Sequence, residues 1–139
     1  MGVIKDKNAQ IPLALFSLDQ LNRIGRNDEA FTLRLLKEFI KIAGKFSESM
    51  YSVITSGDLI KLKKMAHDNI PAYSIMGLNE MVELLSYIEN NTHKENKIEH
   101  MIKFVELVYE KNNTIISVMR QYLKSAQKEK SYQTHTNPI

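Results

Sequence analysis

The sequence predicts an all-α protein, an antiparallel four-helix bundle with an additional short N-terminal helix. Apolar residues recur at steps of three and four along most of the 139 residues, the period of a helix with one buried face. Only five glycines and three prolines occur, too few for a fold with many turns. The connections between the periodic segments are short, which favours sequential antiparallel neighbours. No strand pattern competes with these helices.

The first helix is short. Ser17 stands before "LDQL" and Gly25 closes about two turns, a polar start and a glycine stop. In "RNDEAF", Asn27 is the expected N-cap, with Asp28 and Glu29 at the positive end of the next helix dipole. From there Phe31, Leu35, Phe39, Ile42, Phe46, Met50 and Val53 form the predicted inner face. Gly57 and Asp58 stop and restart the chain, and the third helix turns Leu59, Leu62, Ala66, Ile70 and Tyr73 inward. Gly77 ends or bends it. A fourth helix covers about Asn79 to Glu89 with Met81, Leu84, Leu85 and Ile88 inside, and "ENNTHKEN" is a polar turn. The last runs from about Glu95 to Lys124 on Ile98, Ile102, Val105, Tyr109, Ile116 and Leu123, flanked by Met101, Val108, Ile115 and Met119. This organisation divides the chain into a lead over 1–15, a bundle over 16–125 and a flexible tail over 126–139, which has little apolar content.

Composition narrows the chemistry. Hydrophobic residues make up 43% and charged residues 25%, the balance of a globular domain. The absence of cysteine excludes disulfides and thiolate chemistry and suits a cytoplasmic setting. No apolar run is long enough to span a bilayer. The charge of +3 comes from dispersed lysines, which does not point to nucleic acid. There is no glycine-rich phosphate loop to support nucleotide hydrolysis. His93 and His100 with Glu95 or Glu99 do not recur as a close ligand set, so no metal site is expected. Glu80 and Glu83 read as helix surface, and the seven methionines mostly as core filler.

One stretch breaks the helical rules. In "KMAHDNIPAYSIMGL", Pro71 lies four residues after His67. A proline inside a helix leaves the carbonyl four residues back without its amide partner and presses on it, at a cost of ~3 kcal/mol or more. That carbonyl belongs to His67. On a helical wheel His67 falls about 100° from the centre of the inner stripe, on the rim. Ile60, Lys63 and Lys64 lie before it, and Pro71, Ser74, Ile75 and Leu78 after it. A solvated surface histidine is the plain alternative, but strain in an otherwise consistent sequence is where function is expected.

The order "EAFTLRLLKEFI…SGDLIKLKKMAHDNIPAYSIMGLNEMVELLSYIE" resembles the histidine-containing phosphotransfer (HPt) domain of bacterial phosphorelays, over roughly residues 16 to 125. The matching features are Asp28 and Glu29, Gly57-Asp58, Lys63 and Lys64, Ala66-His67, Gly77 and Glu89. Where the family usually has lysine and glycine, three and four residues after the histidine, this chain has Ile70 and Pro71. The proline form resembles the domains at the C-termini of hybrid sensor kinases of Bacteroides-type bacteria.

The resemblance implies a cytoplasmic phosphoryl carrier module, not an enzyme in its own right, and part of a larger hybrid kinase that can itself be membrane-bound. His67 would exchange a phosphoryl group with an aspartate of a response-regulator receiver domain. Its neutral imidazole offers a lone pair at pH 7 and needs no general base; by resemblance the attacking atom is Nε2. The domain would need no cofactor, Mg²⁺ being held by the receiver, and would be monomeric in isolation. Lys63 and Lys64 are candidates to hold phosphoryl oxygens, or they form a solvated basic face. Ile60, Pro71, Ser74, Ile75 and Leu78 would receive the partner, unless the apolar ones pack on a neighbouring helix, and Gly77 would shape the site. A different reading is an unphosphorylated helical adaptor that binds a protein through the same strip.

Overall fold

The computed structural model describes residues 18–92 and 98–136, with side chains described up to 128. Five helices occur among them, α1 (Leu18–Ile24), α2 (Glu29–Ser56), α3 (Leu59–Ile75), α4 (Asn79–Asn91) and α5 (Ile98–Thr136). The expected all-α bundle is present, with α2 packed along α5, α3 along α4, and α1 against the start of α2. No described helix is long and apolar enough to cross a membrane.

The turns between helices follow local chemistry. After Gly25 the chain passes through Arg26 and Asn27, both left-handed at φ 56° and 59°. Asn27 therefore forms the turn, and the N-cap falls to Asp28, not to Asn27 as expected. Asp28 sits at φ −95° and accepts from the Phe31 amide. Its Oδ1 lies 3.2 Å from that nitrogen, which satisfies one of the orphan amides of the first turn. A Cβ on Gly25 would run into the Thr32 hydroxyl, which requires glycine there. At the end of α2, Gly57 is left-handed at φ 80° and Asp58 caps α3 by accepting from the Lys61 amide at 3.0 Å, as expected. Gly77, left-handed at φ 74°, ends α3. There the Gln20 side chain of α1 donates to the Ile75 carbonyl at 3.0 Å, so the short first helix caps the third.

The core lies between the α2/α5 and α3/α4 pairs. Leu36, Ala43, Leu62, Ala66, Tyr73, Leu85, Ile88, Met101, Val108 and Met119 are fully buried. On α2 the buried face includes Leu33, Leu36, Ile40 and Ala43, whereas the expected Phe31 and Ile42 are 37% and 43% exposed. Phe39, Phe46, Met50 and Val53 are buried as expected, so the two stripes share most of their length. The selected one is rotated because α2 must contact α3 and α5 together, which centres its face between those neighbours.

A buried polar chain crosses this core. The Tyr73 hydroxyl donates to Asn112 Oδ1 at 2.6 Å, and Asn112 Nδ2 donates to the Ala43 carbonyl at 2.9 Å. Three helices are thereby tied at one level. Phe39 meets the Tyr73 ring edge-on, with centroids 5.1 Å apart. Burial pushes the Tyr73 phenol well above its ordinary pKa, the Asn112 hydrogen bond offsetting part of the shift.

Helix α5 continues to Thr136, so residues 126–136 are helical where a tail without periodicity was expected. No glycine or proline interrupts Ile98 to Thr136; Ala126 is still buried, and exposed Gln127 and Lys128 are good helix formers that extend it. The start predicted near Glu95 falls outside the described residues, as do Ser17 and all of the lead.

Candidate functional site

Helix α3 carries Pro71 in its interior and remains helical from Leu59 to Ile75. The proline has no amide for the His67 carbonyl. Two residues on from the histidine, Asn69 is half-buried and donates its side-chain amide to the Met65 carbonyl at 2.9 Å. The inward turn of that polar residue is thus satisfied within the helix.

His67 itself stands outward, its side chain 66% exposed. From the neighbouring α4, Glu89 Oε2 lies 2.7 Å from His67 Nδ1. A carboxylate oxygen can only accept here, so Nδ1 carries the proton, which in the neutral ring leaves the lone pair on Nε2. The Glu89 side chain is only 24% exposed, because it rises from beside fully buried Ile88. A half-buried carboxylate therefore orients an exposed ring, leaving one nitrogen fixed and the other open to attack.

Around the ring the expected residues divide. Ile60 and Ile75 are 85% and 56% exposed, and Pro71 and Ser74 also face solvent. Ile60 and Ile75 thus stand about two helical turns to either side of His67 along α3. Leu78 does not join them. At 1% exposure it is core, because the left-handed Gly77 redirects the chain before it and the α3 wheel no longer applies. Gly77 acts on the bundle end, where its Cα side faces the Gln20 side chain.

The two lysines differ as well. Lys64 Nζ is 2.9 Å from Asp68 Oδ2, one turn on, with side chains 75% and 50% exposed. Such a solvated pair contributes about 0.3 to 0.5 kcal/mol and yields readily to a stronger anion. Lys63 is exposed and makes no ion pair with a described residue.

Sequence reasoning placed Glu89 at a helix end but assigned it no part in the site. The signal was present in the register. An antiparallel pair turning at Gly77 sets residues about ten before the turn against those about ten to twelve after it, and His67 and Glu89 stand at those separations. Asn112 was also missed, because a polar residue inside an apolar period gives no hint of its partner.

The second histidine considered has other contacts. His100 Nε2 lies 2.8 Å from the Tyr87 hydroxyl, and its ring packs edge-on to Phe104 with centroids 5.2 Å apart. His93 and Glu95 lie outside the described residues. Among the described residues no cluster of three or more histidine or carboxylate side chains could hold a metal ion.

The described residues thus form an antiparallel helical bundle with an outward histidine on α3 and a carboxylate partner on α4. No family model and no curated protein matches the chain. Among solved structures, the chain is similar to the HPT domain from a sensor hybrid histidine kinase from Shewanella, with a TM-score of 0.69 and 15% sequence identity. The likeness covers 81% of this chain and 97% of that domain. The two share a fold, that of the HPt helical bundle.

Proposed function

We propose that this chain is a phosphorelay module that carries a phosphoryl group on His67 between aspartates of response-regulator receiver domains. The observation that supports this most is the His67–Glu89 pair at 2.7 Å, with the ring otherwise exposed, on a fold shared with a hybrid-kinase HPT domain. Phosphoryl transfer asks for positioning and charge stabilisation more than for covalent help from the protein.

The step is an in-line displacement. The Nε2 lone pair forms the N–P bond as the P–O bond to the receiver aspartate breaks, and the aspartate leaves as a carboxylate. Nδ1 keeps its proton throughout, so the phosphorylated ring gains positive charge that the Glu89 carboxylate offsets. Lys63 is placed to meet phosphoryl oxygens, and Lys64 joins it when the phosphoryl group outcompetes Asp68. Ile60, Pro71, Ser74 and Ile75 form the receiving surface. Pro71 presents a compact ring next to His67, where a long side chain would obstruct an approaching acidic pocket. The receiver supplies Mg²⁺ and that pocket. A place within a larger hybrid kinase, on the cytoplasmic side, fits this role.

The test incubates the purified chain with receivers phosphorylated from a small-molecule donor and follows acid-labile phosphate on wild type and His67→Ala. Transfer to wild type alone is the expected result. Binding of receivers without any transfer would instead establish the adaptor reading.

A further inference from the structure

On the side of the bundle away from His67, α2 and α5 border an open groove of about 680 Å³. We propose that this groove binds a small amphipathic anion, an organic carboxylate, sulfonate or phosphate with an apolar body. The inference does not rest on the phosphotransfer reading.

Four features of the groove select that chemistry. Its size falls within the range of roughly 300 to 1,000 Å³ usual for small-ligand sites. Gly44 forms part of the wall, and a Cβ built there meets nothing within 4 Å, so the missing side chain is what keeps the groove open. Tyr109 and Ile116 supply an apolar floor, and Arg120 and Lys124 stand one helical turn apart on α5. Neither cation makes an ion pair with a described residue, and among the described residues Glu48 is the one carboxylate along the lining. Finally, Ser47 lines the cavity at 4% exposure, and its hydroxyl has no hydrogen-bond partner. A buried hydroxyl without a partner is costly, and the Ala43 carbonyl one turn back is already engaged by Asn112. The hydroxyl is sealed from solvent, so a ligand donor or acceptor reaches it only with a local shift of the wall beside Gly44.

A second copy of the chain is the less suitable occupant. A two-fold contact sets the same surface against itself, which would bring two walls bearing Arg120 and Lys124 together. An anion neutralises both cations instead.

The experiment titrates the full chain with 8-anilinonaphthalene-1-sulfonate and with its uncharged parent, N-phenyl-1-naphthylamine, reading fluorescence and backbone amide shifts. Saturable 1:1 binding of the sulfonate is expected, with the largest shifts at Gly44, Ser47 and Arg120. The neutral parent and the double variant Arg120→Gln/Lys124→Gln should each bind roughly tenfold more weakly, the scale of a lost hydrogen bond to a charged group. A Cβ at Gly44 meets nothing within 4 Å, so Gly44→Leu projects a side chain into the groove and improves helix propensity; it should weaken binding while the thermal transition is retained. No saturable binding, equal affinity for the neutral parent, shifts confined to another face, or a concentration-dependent dimer that protects Gly44 would each overturn the proposal.

Discussion

On the α3/α4 pair the residue that breaks helical rules is Pro71, and beside it His67 points outward with Glu89 fixing one ring nitrogen. On the α2/α5 pair it is Gly44, and beside it the wall recedes to a cavity with Ser47 at its edge. Both faces use a residue of poor helix propensity inside a long helix, but with opposite results. Proline keeps the neighbouring surface convex and rigid, suited to another protein's approach. Glycine leaves space, suited to a small molecule. The helices tolerate both because a common core, centred on Tyr73 and Asn112, holds them in place.

The comparison can be broken most severely at the histidine. His67→Ala should remove all acid-labile phosphate, as read by donor-receiver transfer followed by acid treatment; label persisting on this variant would move the chemistry elsewhere. Next is the shared core. Asn112→Ala strands the Tyr73 hydroxyl and opens a cavity, so urea unfolding should show a loss of ~2 to 4 kcal/mol. If stability were unchanged, the polar chain would not be what ties the two faces together.

Helix chemistry separates the faces further. Pro71→Ala supplies the amide missing opposite the His67 carbonyl, and equilibrium unfolding should show a gain of about 1 to 3 kcal/mol, part of the benefit being offset by the freer unfolded chain. Glu89→Ala removes the oriented acceptor and should slow transfer by roughly tenfold, equivalent to ~1.4 kcal/mol. Glu89→Gln keeps an acceptor and should recover part of that loss, whereas a purely structural role for Glu89 would make the two variants differ in stability and not in rate. The smallest effect belongs to Gly44→Ala, a gain of about 0.5 to 1 kcal/mol from helix propensity alone, measured by the same unfolding curve.

Much of this was legible in the residues. The caps at Gly57 and Asp58, the stop at Gly77 and the inner stripe Leu62, Ala66 and Tyr73 are local or periodic, and local signals are carried by adjacent residues. His67, Ile60, Pro71, Ser74 and Ile75 were likewise placed outward by one helix's own period. What failed depended on more than one helix. Phe31 and Ile42 fit an apolar stripe, but the direction of α2 is set by two neighbours at once. Leu78 fits the α3 wheel only if the helix continues past Gly77. The pairing of His67 with Glu89, and of Tyr73 with Asn112, comes from the register between helices, which a single helical period does not contain. Even the end of α5 was underestimated because loss of an apolar face was read as loss of the helix, whereas no glycine or proline stops it before Thr136.

The central claim is that Glu89 holds Nδ1 so that His67 accepts phosphate through Nε2. Phosphoramidate, a small phosphoryl donor, tests it without any partner protein, with the modified nitrogen identified by ³¹P and ¹H–¹⁵N NMR. The account predicts a single phosphohistidine, at Nε2 of His67, with the Nδ1 proton retained toward Glu89. Phosphate on Nδ1, or on His100 with His67 unmodified, would contradict it.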